Sequence, residues 1–451
     1  MAKPRRMYTC QQCGWSTTKW MGRCAECKAW STLVEEVVRD EAAPVSSVAA
    51  AAPIKLSAVP TDRGGEVRIR TGIGELDNVL GGGLVTGSLV LLGGDPGVGK
   101  STLLLMALDK FARRGVPVLY ASGEESVRQV KLRADRLGVG GDSLYLLAET
   151  RFDTIEATIR EHKPHVVVID SVQTVATGDL TGIPGSVGQV REVSHRAMML
   201  AKSTGTAIWL VGHVTKSGEL AGPKVLEHLV DTVLYFEGDG GGPLRVLRAV
   251  KNRFGAAGEL GLFEMVDEGL REVPDASARL LAERSEDAPG TAVLCAYEGS
   301  RPVLAEIQAL VGRPSLQIPA RNAVGIDRGR LSMLAAVLGK AGLPLHDRDL
   351  FLNATGGLRI DEPAADLAIV AAIASSLFDR PIPSDTALFG EVGLVGEVRG
   401  VSHPGIRLRE AGRHGFRRVL APGKVAADAP AGVTVIGVRS VKDVLAAIRG
   451  E

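Results

Sequence analysis

The chain has 451 residues, of which 45% are hydrophobic and 23% charged, and its net charge is +1. That length exceeds one hydrophobic core and suggests about three domains, and the balanced charge excludes a global basic field, so any nucleic-acid contact must come from local patches. No apolar run approaches the roughly 18 residues of a spanning helix, and no apolar stretch follows the basic Lys3, Arg5 and Arg6, so a cytoplasmic protein without a membrane partner is expected.

Four of the five cysteines fall in one short segment, Cys10-x₂-Cys13-x₁₀-Cys24-x₂-Cys27. Each C-x₂-C turn presents two thiolates to one ion, and two such knuckles complete a tetrahedral S₄ site for Zn²⁺. Disulfides or a redox pair are the alternatives, but a reducing compartment disfavours them. A module over residues 1–34 is predicted, with metal binding supplying much of its folding energy. Trp15, Trp20 and Trp30 are expected to pack around the site, stacking on bases being the other use for them. Residues 35–60 are rich in Ala, Ser, Val and Pro without periodicity and read as a linker.

Residues 61–273 alternate strand-like and helix-like runs. Gly94-Asp95-Pro96-Gly97-Val98-Gly99-Lys100-Ser101, followed by Thr102, satisfies G-x-x-x-x-G-K-[ST] between an apolar strand and an apolar helix. The glycines let backbone N–H groups turn toward phosphates, Lys100 is placed to reach β/γ-phosphates, and Ser101 to ligand Mg²⁺. ATP and Mg²⁺ are the expected ligands. The run His165 to Ile169 closes on Asp170, a second Mg²⁺ residue of Walker B type. Glu124 and Glu125 end the strand after the P-loop helix, where an acid can orient the attacking water. Glu124 is favoured, a helix N-cap pair being the other reading. Two Gly-rich loops, at 177–188 and 213–224, follow later strands, where ligands bind in parallel sheets. Lys216 and Lys224 in the second are candidate DNA-phosphate contacts or simply solvated charges.

Ser122-Gly123-Glu124-Glu125-Ser126, Gly212-His213-Val214-Thr215-Lys216, Ala221 to His228 and Lys251-Asn252-Arg253-Phe254-Gly255 stand in order after the P-loop. With the leading knuckles, this pattern resembles the bacterial RadA (Sms) DNA repair family over essentially the whole chain. The resemblance implies a RecA-like ATPase with a mainly parallel sheet that binds single-stranded DNA and drives branch migration of recombination intermediates. It also implies a homohexameric ring and a possible RecA recombinase partner. By the same resemblance, Lys100, Ser101 and Asp170 match the Walker positions and Glu124 the water-activating acid. One of Lys251 and Arg253 is expected to stabilise γ-phosphate charge on a neighbouring subunit; a DNA contact or a local salt bridge are the alternatives.

After a charged, Ala-rich stretch at 274–287, read as a linker, residues 288–451 are expected to form an α+β domain. Asp361-Glu362-Pro363-Ala364-Ala365-Asp366 and Gly390 to Val398 are similar to the Lon protease proteolytic domain. There, however, the nucleophile position is Ala364 and the dyad lysine position Gly405, so acyl chemistry cannot run. An ATP-dependent Lon-type protease is thereby disfavoured, as is a KaiC-type signalling ATPase by the cysteine knuckles and by Lys251 to Gly255. Arg407, Arg409, Arg413, Arg417 and Arg418 form a basic cluster, a candidate DNA-backbone patch or a solvated helix face. Cys295 is read as a core residue.

Overall fold

The computed structural model describes residues 5–10, 14–38, 55, 68–180, 182–212, 225–238, 244–314 and 319–450. It divides into two compact units, Met1–Glu237 with Leu247–Glu272, and Gly238–Val246 with Val273–Glu451.

The first unit opens with a three-stranded antiparallel ribbon, β1 (Arg5–Cys10), β2 (Ser16–Thr17) and β3 (Leu33–Val38), in the order β2-β1-β3. β3 carries the ribbon four residues beyond the boundary at 34 read from composition, because Glu35 to Val38 pair with Arg5 to Tyr8. Its small core is Cys10, Cys24 and Leu33 with Tyr8, Trp15 and Met21 against them. Trp20 and Trp30 do not join that core: they are 63% and 71% exposed, which corrects the packing expected of them.

The rest of the unit comprises β4 (Arg68–Ile69), α1 (Gly74–Val79), β5 (Leu84–Val85), β6 (Leu89–Gly94), α2 (Lys100–Ala112), β7 (Val118–Ser122) and α3 (Val127–Arg136). Then follow β8 (Leu144–Ala148), α4 (Phe152–His162), β9 (Val166–Asp170), α5 (Val187–Thr204), β10 (Ala207–Val211), α6 (Val225–Leu229), β11 (Thr232–Gly238), β12 (Leu244–Asn252), β13 (Leu260–Val266) and β14 (Gly269–Glu272). Nine strands make one sheet, β14-β13-β12-β11-β6-β10-β9-β7-β8, and its pairs from β11 to β8 are all parallel. β6, β7, β9 and β10 are buried at every position, as strands covered on both faces must be. Alternation sorts their side chains. Val90, Leu92, Tyr120, Val166, Val168 and Trp209 face the α2 side, whereas Leu89, Leu91, Leu119, Val167, Ile169 and Leu210 face the α4–α5 side.

The second unit contains α7 (Ala276–Leu281), β15 (Thr291–Glu298), β16 (Arg301–Gly312), β17 (Arg321–Val324), α8 (Arg328–Lys340), β18 (Asp349–Ala354), α9 (Asp366–Phe378) and β19 (Thr386–Leu388). It ends with β20 (Glu391–Val392), β21 (Val398–Arg399), α10 (Pro404–Arg413), β22 (Arg418–Pro422), β23 (Thr434–Val438) and α11 (Val441–Arg449). Its seven-stranded sheet, β17-β18-β16-β15-β19-β22-β23, mixes antiparallel and parallel pairs. The stretch at 274–287, read as a linker, instead contributes α7. Asp275 caps it, and its buried Ser277 hydroxyl donates to Glu410 and accepts from the Leu304 N–H.

Candidate nucleotide and metal sites

Three strands deliver the nucleotide-site residues to one edge. β6 runs into the P-loop, β9 ends on Asp170, and Glu124 lies two residues past the end of β7. Because β6, β10, β9 and β7 are parallel neighbours, with Ser122 beside Asp170, their carboxyl ends coincide.

The loop itself needs glycine. Gly94 and Gly99 have φ of 149° and 113°, and a Cβ at Gly94 would sit 2.3 Å from the Phe236 carbonyl oxygen. Asp95, Pro96 and Gly97 are exposed, while Gly94, Val98 and Lys100 are buried. α2 begins at Lys100 with no side-chain cap, which leaves its first N–H groups to an anion and places Ser101 and Thr102 in its first turn. The Lys100 ammonium donates to the carbonyls of Gly94, at 2.7 Å, and Asp95, at 2.9 Å. Burial lowers its pKa below the usual lysine value, and the carboxylates of Asp170, Asp95 and Glu124 oppose that shift.

The two carboxylates are each held by a hydroxyl that sequence reading did not single out. The Tyr120 phenol, buried in β7, donates to Asp170 Oδ2 and is also hydrogen-bonded with Ser101. Burial first, then the Asp170 charge, raises the Tyr120 pKa well above its ordinary value, so the phenol stays a donor. The fully buried Ser171 donates its hydroxyl to Glu124 Oε1 at 2.5 Å. Parity puts Tyr120 on the α2 side of β7, but its pairing with Asp170 needs the register of β7 against β9. Ser171 follows Asp170 directly, but no motif marks it.

Glu124 and Glu125 separate. Glu124 reaches Ser171 beside Asp170, whereas Glu125 pairs with Arg133. The N-cap of α3 is Ser126 in a capping box with Gln129, so the glutamates are not the cap.

The residues fit the expected ligands. Gly-loop N–H groups and Lys100 suit a triphosphate, and the Ser101 and Asp170 oxygens suit Mg²⁺. In the ribbon, the sulfurs of Cys10, Cys24 and Cys27 lie within 4.8 Å of one another. Cys10 Sγ and Cys27 Sγ are 3.7 Å apart, too far for a disulfide and close to the ~3.8 Å edge of a tetrahedron with Zn–S of about 2.3 Å. Gly14 N–H donates to the Cys10 carbonyl and Lys28 N–H to the Cys24 carbonyl, the tight turns that aim paired thiolates. Cys13, the fourth expected ligand, lies outside the described residues.

The remaining candidates scatter. Lys216 and Lys224 lie outside the described residues. In the first loop, the buried Gln189 amide holds the carbonyls of Thr177, Leu180 and Gly182, and Arg196 bonds Thr177, Asp153 and Glu156. Lys251 spends its ammonium on the carbonyls of Glu227 and Val230 at the end of α6, at 2.6 and 2.8 Å. Burial, and next the Arg253 charge, lower its pKa. Arg253 pairs with Asp231 at 3.2 Å and is half exposed.

In the second unit, Arg407 is corrected. It is fully buried, forks onto Glu362 at 2.6 and 3.0 Å, donates to the Cys295 and Ser402 carbonyls, and lies over the rings of Tyr297 and Phe389. Four of its five N–H groups are spent inside the domain, and full burial keeps the guanidinium from a phosphate. Arg409 is exposed, and exposed Arg413 pairs with Asp275 and Glu410. Cys295 is buried as expected, and its thiol donates to the Arg407 carbonyl.

Residues 52–219 match a family described as AAA domain, and residues 8–35 one described as rubredoxin metal binding domain. The chain is 52% identical to the DNA repair protein RadA of Pseudomonas aeruginosa, with 99% of this chain and 100% of that protein aligned. It is 49% identical to the DNA repair protein RadA of Bacillus subtilis over 99% of each. A solved KaiC-like protein from Pyrococcus horikoshii is 20% identical, at a TM-score of 0.40, and covers 46% of this chain and 100% of its own. A zinc ribbon, a P-loop ATPase core with a mostly parallel sheet and relatives of this identity along the full length have one reading: the chain belongs to the RadA family of DNA repair proteins.

Proposed function

We propose that the chain is a DNA-dependent ATPase that processes recombination intermediates, driving branch migration along single-stranded DNA. The observation that carries this is the convergence of Lys100, Asp170 and Glu124 at one sheet edge, within a chain of the RadA family. Mg²⁺, when bound, supplies charge neutralisation on the β- and γ-phosphates. Lys100 leaves the carbonyls of Gly94 and Asp95 to pair the phosphates, and Ser101 with Asp170 holds the ion. Glu124 orients the attacking water and accepts its proton, with Ser171 fixing the carboxylate's direction. Arg253, rather than Lys251, is the group free enough to reach a neighbour's γ-phosphate, since the Lys251 ammonium is committed to the α6 carbonyls. That role implies a ring of copies, for which a homohexamer is our reading, and a recombinase of RecA type is the partner that would supply branched substrates.

DNA would be engaged by the two loops near 177–188 and 213–224, the first of them pinned by Gln189 so that pull on it is passed to α5. The second unit, with Ala364 and Gly405 at the dyad positions of a Lon-like domain, serves assembly and DNA contact, not peptide cleavage. With Arg407 removed, the exposed Arg409, Arg413 and Arg417 and the half-buried Arg418 are its remaining candidate phosphate contacts. The test is ATP turnover with and without single-stranded DNA, alongside the mass of the assembly. Stimulation by DNA and a multimeric mass are expected; an unstimulated monomer rules the motor out.

A further inference from the structure

The two exposed tryptophans of the ribbon lie outside its core. Trp20 precedes Met21, which turns into the ribbon core, so Trp20 turns out. Trp30 is held outward by a one-residue antiparallel bridge to Arg23, whose guanidinium stacks 5.6 Å from the Trp30 ring centre and whose Nε donates to the Lys28 carbonyl. The two rings share one place. A side-chain carbon at Gly22 would touch Trp30 at 3.8 Å and Trp20 at 3.9 Å, so both rings border the same glycine. Leaving two large rings in water next to each other is costly for a module with so small a core.

Charge selects the occupant. Arg23 lies over the Trp30 ring, Lys19 directly precedes Trp20, and Lys28, whose ammonium donates to the Ala25 carbonyl, lies two residues before Trp30; all three are exposed, against the single acidic Glu26 between Trp20 and Trp30. Aromatic faces set among cations fit unpaired bases on a phosphate backbone: each base has a π-face to stack, and each phosphate a charge to pair. Duplex bases are already stacked and offer no such face.

We propose that Trp20 and Trp30, flanked by Lys19, Arg23 and Lys28, form a base-stacking platform by which the zinc ribbon holds single-stranded nucleic acid. The platform rests on the reading of the chain as a single-stranded-DNA motor, but it is a separate contact from the loops of the ATPase core. It places a second grip on the strand in a module that carries no nucleotide site.

The test uses the full zinc-loaded chain titrated with an oligo-dT strand, read by tryptophan fluorescence and by anisotropy of the labelled strand. Trp209 is buried in β10 and Trp15 is packed in the ribbon core, so quenching reports Trp20 and Trp30. Quenching is expected in the wild type. Trp20→Ala with Trp30→Ala should lose it and bind at least about 10-fold more weakly, given roughly 5- to 150-fold per stacked base, while basal ATP turnover and zinc content hold. Trp20→Phe with Trp30→Phe should recover most of the affinity. Lys28→Ala should flatten the log–log salt dependence by about 0.7. Unchanged affinity in the double alanine variant, with zinc retained, overturns the platform and reassigns the rings to a protein partner. If the wild type binds no single strand at all, the motor reading falls as well, which the first result does not bring about.

Discussion

The sheet edge of the first unit and the α9–α10 region of the second, which we propose is a Lon-like domain without its dyad, treat their charges in opposite ways. At the first, Lys100 rests on loop carbonyls, Glu124 is exposed, and the start of α2 is uncapped. At the second, Arg407 is locked on Glu362. Asp366, whose pKa burial raises against its Arg330 partner, takes Arg330 on both oxygens and the Val392 N–H besides. An active site keeps hydrogen-bonding capacity in reserve, whereas a scaffold consumes it. On the proposed Lon-like reading, Ala364 and Gly405 stand where the dyad would be, and the nearby Glu362, Asp366 and Arg407 are held in structural pairs.

The largest effect should come from Lys100. Lys100→Ala is expected to reduce ATP turnover by at least about 10²–10³-fold without shifting the unfolding midpoint; normal turnover would falsify the P-loop assignment. The mirror experiment is Arg407→Ala, expected to cost about 3–5 kcal/mol in denaturant unfolding, because a fully buried side chain is removed and the partly buried Glu362 loses its cation while keeping the Tyr297 N–H. A loss below about 1 kcal/mol would show that the second unit does not depend on the pair. Cys27→Ser should lower zinc content measured by elemental analysis, and full retention of one zinc per chain contradicts the S₄ site.

Smaller effects probe the hydroxyls. Ser171→Ala should lower kcat roughly 10-fold with little change in KM, as expected when a hydrogen bond to a catalytic carboxylate is lost. Equal losses in nucleotide affinity would mean that Ser171 supports the fold instead. Ala364→Ser should yield no casein cleavage at all, since position 405 still lacks a base.

What could be read in advance follows how local the determinant is. The P-loop, Asp170 and the knuckles are contiguous patterns whose chemistry dictates their spacing, so residue numbers alone located them. The ribbon extended past its expected end because cross-strand pairing of Glu35 to Val38 is a property of β1, which composition does not carry. Arg407 was misread because a cluster of arginines on a helix does not disclose which side is covered; it faces the core two positions from exposed Arg409. The tryptophans were misread for the converse reason, because a module this small has too little interior to hide three indoles. Ser171 and Tyr120 needed the parallel register that puts Ser122 beside Asp170.

Migration of a synthetic four-way junction by the wild type and by Glu124→Gln tests the central claim most directly. ATP should drive the junction to products with the wild type, while Glu124→Gln binds the junction and nucleotide but leaves it in place. Migration by Glu124→Gln at the wild-type rate, or wild-type migration indifferent to ATP, contradicts the account.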